Sequence, residues 1–160
     1  MIEPIAFLDV EASGFGPESY PIEIGWVLSD TDCAEARLIL PHPDWVYWDP
    51  AAQAVHGIAR TELFATGLPG PRVAAWLDAN LIGHVVYVGA EDDLFWIDRL
   101  YRACNRRPSF RLLEAGRALE AELSRRGLES TSFWTEHPAV HRAVGDAMRL
   151  RSVWRRVMGG

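Results

Sequence analysis

The clearest chemical signal in the sequence is a pair of acids, Asp9 and Glu11, within the segment FLDVEASG at residues 7–14. Alternate residues of a β-strand point to the same side, so these carboxylates project together, roughly 6.6 Å apart along the strand. Like charges at this separation repel and raise each other's pKa unless a cation lies between them. The Ala-Ser-Gly that follows ends the apolar run, which puts the pair at a strand end, where open α/β sheets bind ligands. The pattern predicts a cation site.

Two further acids lie on the apolar faces of predicted helices. Asp93 precedes Ile97 by four residues, and Asp146 precedes Leu150 by four, so each acid shares an inward face with its neighbour. A buried acid needs a hydrogen-bond partner or a metal ion. The helix dipole alone also favours an acid in a first turn, which leaves a structural role open. Taken with the first pair, these acids predict one shared site.

A histidine, His141, precedes Asp146 by five residues. Five helical residues turn the chain by about 500°, so the two side chains would face different ways within one helix. We therefore expect His141 in the loop or first turn before the last helix, reaching over a site that Asp146 lines from below. A capping or surface role for His141 is the alternative.

Apolar periodicity and turn residues predict the elements that position these side chains. Strands are expected at residues 5–10, 22–28, 34–40, 85–88 and 110–113. Helices are expected at residues 51–56, 61–65, 71–81, 92–104, 115–126 and 141–158, the first of them capped by Asp49 with Pro50 at its first position. Three antiparallel strands followed by alternating strands and helices indicate a single α/β domain over residues 1–160, with a mixed five-stranded sheet and helices on both faces.

Charge is distributed unevenly along the chain. The net charge is −6, but residues 1–98 carry −13 and residues 99–160 carry +7. This asymmetry predicts an acidic locus beside a basic surface that could follow a phosphate backbone, with Arg106 and Arg142 as candidate contacts. All 16 basic residues are arginines, which suits bidentate phosphate binding; biased genomic composition is the simpler explanation.

Targeting and membrane signals are not found in the sequence. The N-terminus lacks a basic signal-peptide region, and no apolar run approaches the ~20 residues that span a bilayer. Cys33 and Cys104 have neither metal-ligand nor disulfide spacing. We therefore expect a cytoplasmic protein without a membrane partner.

These residues together resemble the DnaQ-like 3′–5′ exonucleases of the DEDDh type, which have an RNase H-like fold. FLDVEASG and the later EIG of Glu23–Gly25 are similar to the first motif, VGAEDDLFWIDRL to the second, and HRAVGDA to the third, H-x4-D. AVHGI, which contains His56, resembles a V-H-G-I segment common in these enzymes. The second motif usually reads H-N-x-x-F-D, and its His-Asn pair is absent from VGAEDD. The motifs extend over nearly the whole chain.

The resemblance implies hydrolysis of phosphodiesters from the 3′ end of single-stranded DNA or RNA, with release of nucleoside 5′-monophosphates. It implies two Mg²⁺ ions, for which Mn²⁺ may substitute, held by Asp9, Glu11, Asp93 and Asp146, with His141 as general base. The 3′-terminal nucleotide would contact Ala12, Ser13, Gly14, Phe15 and His56. For Phe15 a place in the core is the alternative, and for His56 a structural role.

Two other functions fit the same residues. One is a nucleic-acid-binding module that has kept the fold and lost catalysis through its altered second motif, and the other is hydrolysis of a small phosphodiester. The sequence does not separate DNA from RNA substrates or proofreading from RNA processing. It also leaves the oligomeric state open, a homodimer included.

Overall fold

The computed structural model describes residues 2–129 and 131–159. A mixed sheet runs through it, formed by β1 (Ile5–Ala12), β2 (Pro21–Leu28), β3 (Ala34–Leu40), β4 (Leu68–Pro69), β5 (Val85–Val88) and β6 (Arg111–Glu114). The strand order is β4-β3-β2-β1-β5-β6. Strands β1, β2 and β3 are antiparallel neighbours, whereas β5 and β6 run parallel to β1. The predicted mixed α/β architecture is confirmed.

Seven helices are present in the described residues. They are α1 (Pro50–His56), α2 (Arg60–Thr66), α3 (Gly70–Leu81), α4 (Glu91–Ala103), α5 (Ala115–Arg125), α6 (Thr131–Glu136) and α7 (Ala143–Met158). Asp49 caps α1 as predicted, since its Oδ1 accepts the Ala51 N–H at 2.8 Å, with Pro50 at the first position. None of the helices within residues 2–129 and 131–159 is both long and apolar enough to cross a lipid bilayer.

Two hydrophobic cores lie on opposite faces of the sheet, and β1 contributes to both. Ala6, Leu8 and Val10 pack with α3 and α4 on one face, while Phe7 packs with α5 and α7 on the other. Because both faces of this central strand are covered, the residues that point to either face are apolar along most of its length. Only toward its carboxyl end do the residues on the α7 side become acids, at positions 9 and 11.

The structure differs from the sequence predictions in three places. A sixth strand, β4, pairs parallel with β3; it has only two residues, too few to show an alternating pattern. Helix α6 was not predicted, since its six residues provide less than two turns of periodicity. The last helix begins at Ala143 rather than at residue 141, because His141 has a left-handed φ of 58° and interrupts the helical conformation.

Candidate active site

Three of the predicted acids converge at the carboxyl end of β1. Oxygen atoms of Asp9, Glu11 and Asp146 all lie within 4.8 Å of one another. Asp9 is largely buried, and its Oδ2 has no hydrogen-bond partner among the described residues. An unpaired buried carboxylate oxygen is costly unless a cation or water satisfies it. Carboxylate oxygens are the ligands that Mg²⁺, Ca²⁺ and Mn²⁺ prefer, so the cluster fits a divalent metal site.

The electrostatics of the cluster agree with this fit. Burial raises the pKa of Asp9 well above its ordinary range, and the charges of Asp93, Glu11 and Asp146 raise it further. Burial, followed by the Asp146 charge, raises the pKa of Glu11 to about 7. A bound cation would offset both effects, because it stabilises the ionised acids at short range.

The fourth predicted acid, Asp93, lines the same cavity but is not part of the close cluster that the other three form. It lies in the first turn of α4 and is 4% exposed. Its Oδ2 accepts the Ala90 N–H at 3.1 Å, which satisfies a free donor at the helix start. Burial raises the pKa of Asp93 to about 7. Asp93 therefore both caps α4 and presents a carboxyl group to the cavity.

Strand β2 determines where the N-terminus of α7 lies. The buried Glu23 carboxylate accepts the Ala143 N–H at 2.8 Å and binds the Arg142 guanidinium. Two residues along, Gly25 lets the helix approach closely, since a Cβ at this position would lie 2.5 Å from the Val144 nitrogen. Gly25 of β2 also pairs with Asp9 of β1 in the sheet. The Glu-x-Gly pattern of β2 thus brings α7, which carries Asp146, against the acids of β1.

His141 lies in the loop before α7, one of the two positions expected from the sequence, and its exposed side chain lines the cavity. The segment is held by Asp146, whose Oδ1 accepts the Val140 N–H at 2.7 Å and whose Oδ2 accepts the His141 N–H at 2.9 Å. The same carboxylate faces the acids of β1. Asp146 is therefore a candidate metal ligand and also fixes the position of His141.

The predicted substrate-binding segment, which begins with the last residue of β1, divides into two parts. Ala12, Gly14 and Phe15 line the cavity. The Phe15 ring is 71% exposed, so it does not belong to the core. Ser13 is fully buried and is not among the described lining residues; its Oγ accepts the Tyr20 N–H at 3.1 Å. Ser13 therefore supports the loop that presents its neighbours to the cavity.

His56, at the end of α1, is buried beside the cavity and lines it. Its Nδ1 accepts the Ile58 N–H at 3.0 Å, so the proton of the neutral ring resides on Nε2. That Nε2 has no hydrogen-bond partner among the described residues. Burial lowers the pKa of His56, which favours the neutral imidazole, while interaction with the Ala12 backbone acts in the opposite direction.

The cavity has a volume of about 560 Å³. Its walls also include three large side chains that the sequence analysis did not assign to the site, Trp96, Trp134 and Arg149. Arg149 lies one helical turn after Asp146, a spacing that the predicted helix already contained. Trp134 lies on α6, which was not predicted, so the sequence pattern gave no signal for its place in the cavity wall.

The arginines proposed as phosphate contacts have partners within the chain. Arg142 binds Glu23, and Arg106 binds Asp78 with Nη2 2.8 Å from Oδ2. In all, nine of the described arginines form ion pairs with carboxylates of the same chain. Much of the positive charge after residue 99 is therefore paired with acids of this chain rather than left free for a phosphate backbone.

Comparison with solved structures places this architecture among known folds. E. coli exonuclease I in complex with a 5cy-dA13 oligonucleotide superposes with a TM-score of 0.77 at 15% identity, over 99% of this chain and 41% of that chain. A moderately thermophilic exonuclease I from Methylocaldum szegediense gives a TM-score of 0.68 at 16% identity, over 97% and 41%. The zinc-bound form of an E. coli ExoI–ssDNA complex gives 0.73 at 14%, over 98% and 41%.

The chain thus shares the fold of these exonuclease I structures. No protein-family model and no curated protein sequence matches the chain. The chain spans about two fifths of the length of the exonucleases that it resembles. At these identities the likeness concerns the fold, and the chemistry has to be argued from the site itself.

Proposed function

We propose that this protein is a metal-dependent 3′–5′ exonuclease of the DEDDh type that acts on single-stranded DNA or RNA and releases nucleoside 5′-monophosphates. The observation that carries the proposal is the convergence of Asp9, Glu11 and Asp146, with an unpaired buried oxygen on Asp9. Asp93 and His141 line the same cavity. The neighbouring structures that contain an oligonucleotide or zinc support a nucleic-acid ligand and a divalent metal.

Four carboxylates would hold two divalent cations, Mg²⁺ or Mn²⁺. Asp9, Glu11 and Asp146 are the closest set, and Asp93 completes it from the start of α4. When bound, the ions neutralise these acids and act as Lewis acids on the phosphoryl group. The carboxylates themselves orient the phosphodiester by fixing where positive charge lies in the cavity.

His141 would act as the general base. Its side chain is exposed at the cavity, and histidine is the side chain that most often acts as a general base. The His141 N–H bond to Asp146 holds the backbone of the histidine 2.9 Å from the Oδ2 of that carboxylate. A water molecule activated at this position would lie between the histidine and the acids, where the phosphodiester has to bind.

The 3′-terminal nucleotide would bind between the loop after β1 and α1. The exposed Phe15 ring provides a stacking surface for a base. The Nε2–H of His56, which lines the cavity, would donate to a sugar oxygen. Backbone N–H groups near Ala12 and Gly14 would contact the 3′-hydroxyl, while the buried Ser13 keeps the loop in place.

The proposal is tested by degrading one oligonucleotide labelled at either end. With Mg²⁺, we expect the 5′-labelled strand to shorten progressively and the 3′-labelled strand to release a labelled mononucleotide at once. EDTA should stop both reactions. Asp9→Ala and Asp146→Ala should each abolish release while circular dichroism shows a retained fold. Full activity of both variants would overturn the proposal, and oligomer binding without turnover would favour the binding module. The cytoplasmic location stays a prediction.

A further inference from the structure

Arg149 is the one guanidinium among the described residues that line the cavity. It follows Asp146 by three positions on α7, so the two side chains project from neighbouring points of one helix face. The other ionisable lining groups are six carboxyl groups and two histidines. An arginine in such surroundings would ordinarily pair with an acid, because attraction between opposite charges grows as water is excluded.

Arg149 does not make such a pair with the described part of the chain. Its Nε donates to the His137 carbonyl, and its Cζ lies 4.8 Å from the centroid of the Trp134 ring. Within residues 2–129 and 131–159, no carboxylate oxygen lies within 4.0 Å of a guanidinium nitrogen of Arg149. Its Nη1 and Nη2 have no hydrogen-bond acceptor among these residues. The guanidinium is therefore held beside the acids without neutralising them.

This separation has a chemical consequence. If Arg149 bound Asp146, each would remove the other's capacity to bind a ligand, since the acid is a candidate metal ligand. Held apart, the acids keep their affinity for cations, and the guanidinium keeps two N–H groups in a planar fork. Such a fork matches two oxygens of a phosphate group and binds them through charge-assisted hydrogen bonds.

Another arginine of α7 provides the comparison. Arg156 also contacts α6, because it pairs with Glu136 and its Cζ lies 5.5 Å from the Phe133 ring. It is not among the described residues that line the cavity. Arg149 and Arg156 thus both fasten α6 to α7, and only Arg149 presents charge to a ligand.

We propose that Arg149 binds a phosphate group of the substrate, and that Trp134 and the His137 carbonyl hold its guanidinium away from the metal-binding acids. The inference rests on the phosphodiester chemistry proposed above and names the residue that selects a phosphate-bearing ligand. Trp134, which contacts Arg149 in this arrangement, is a positioning residue.

Equilibrium binding of thymidine 5′-monophosphate, measured by calorimetry with Mg²⁺ present, tests the contact directly. We expect Arg149→Gln to weaken binding roughly tenfold to a hundredfold, as for lost hydrogen bonds to a charged group. Binding of thymidine, which lacks the phosphate, should not change. Arg149→Lys should recover part of the loss, since it restores the charge without the fork. Equal nucleotide affinity of the wild type and Arg149→Gln would overturn the inference.

Two further variants separate phosphate binding from the anchoring of α6. Arg156→Gln removes the second anchor and should change nucleotide affinity by no more than about twofold, as surface substitutions do. Trp134→Ala should weaken binding, and Trp134→Phe, which keeps an aromatic face for Arg149, should restore it. A loss in Arg156→Gln as large as that in Arg149→Gln would refute a phosphate contact.

The binding measurement does not depend on turnover, so the two proposals can fail separately. Nucleotide binding that depends on Arg149, together with no cleavage of oligomers, would contradict the exonuclease proposal alone. Cleavage by the wild type, with KM unchanged in Arg149→Gln, would contradict the role of Arg149 alone. If both proposals hold, KM for a short oligomer should also depend less on salt in Arg149→Gln. The slope of log KM against log salt concentration should decrease by about one, because one phosphate contact is lost.

Discussion

Glu23 and Arg142 form a two-point ion pair across 119 positions of the sequence, with Nε 3.0 Å from Oε1 and Nη2 2.6 Å from Oε2. The Glu23 side chain is only 4% exposed. Because the same carboxylate accepts the Ala143 N–H, it caps α7 and sets the helix against β2. The pair therefore positions Asp146 and His141 without contacting a ligand.

Replacing Glu23 by alanine should lower both stability and metal binding. The variant leaves the Ala143 N–H and the Arg142 guanidinium without their acceptor, which we expect to cost about 1–3 kcal/mol of unfolding free energy. Urea denaturation checks this value, and the rise in Tm caused by Mn²⁺ should be smaller than in the wild type. Glu3→Ala is the control, because Glu3 and Arg111 pair with both side chains 60% exposed, and such pairs contribute little. Equal stability of the two variants would contradict the role of Glu23.

Replacing His141 by asparagine should remove the base and keep the loop. Asparagine tolerates the left-handed φ of 58° better than most residues. We expect kcat to fall roughly 100- to 10,000-fold, the usual contribution of general base catalysis. Metal binding, followed by the Mn²⁺-induced rise in Tm, should persist. His42→Asn, at an exposed histidine outside the cavity lining, should leave kcat unchanged. A His141→Asn enzyme with full kcat would assign the base to another group.

Metal binding should strengthen with pH. The pKa of Glu11 and that of Asp93 are raised to about 7, by burial first in each case, whereas in the unfolded chain the pKa is about 4.3 for glutamate and about 3.9 for aspartate. Between these values the metal-free native state binds more protons than the unfolded state, so its stability falls as pH rises toward 7.

A divalent cation binds the ionised acids and releases these protons. We therefore expect the rise in Tm caused by Mg²⁺ or Mn²⁺ to be larger at a pH of about 8 than at about 5.5. Differential scanning fluorimetry at fixed metal concentration measures the difference. Glu11→Gln should lose part of the pH dependence. An identical rise at both pH values would mean that the cation binds elsewhere.

Replacing Phe15 by alanine should affect the substrate rather than the fold. The ring is 71% exposed, so unfolding free energy should change little. Loss of one base-stacking contact, worth about 1–3 kcal/mol, should raise KM for an oligomer by about fivefold to a hundredfold. Val46→Ala removes an equally exposed apolar side chain, 73% exposed and outside the cavity lining, and should leave KM unchanged. A Phe15→Ala variant with wild-type KM would remove Phe15 from the substrate path.

Local physical rules account for the parts of the site that were predictable. Strand alternation placed Asp9 and Glu11 on one side of β1, and the turn angle of a helix indicated that His141 and Asp146 do not share a helix face, with His141 in the loop or first turn. Burial of Asp93 followed from its position in line with Ile97 on α4. Each inference needed only residues within about two helical turns of one another, where geometry depends little on the rest of the chain.

The remaining features depend on tertiary contacts and could not be predicted. The positive charge of Arg142 suggested a phosphate contact. Its actual partner, Glu23, could not be predicted because the two residues are far apart in the sequence. Helix α6 is short, and its recorded contacts include two arginines of α7, so its own residues carry little helical signal. The orientation of Arg149 depends on its contact with that helix. The sequence therefore could not show that the Arg149 guanidinium is available to a ligand.

The five-residue spacing of His141 and Asp146 is the length of chain that a ring of hydrogen bonds encloses. The two oxygens of Asp146 close on the backbone N–H groups of Val140 and His141, so an inserted or deleted residue between them would open both bonds. Gly145 fits inside this ring, since a Cβ there would lie 3.1 Å from the Val140 Cβ. The Val140 side chain, 60% exposed, lies on the outside. An indel scan of this segment should therefore find every change of length rejected, while a point-substitution scan finds position 140 permissive.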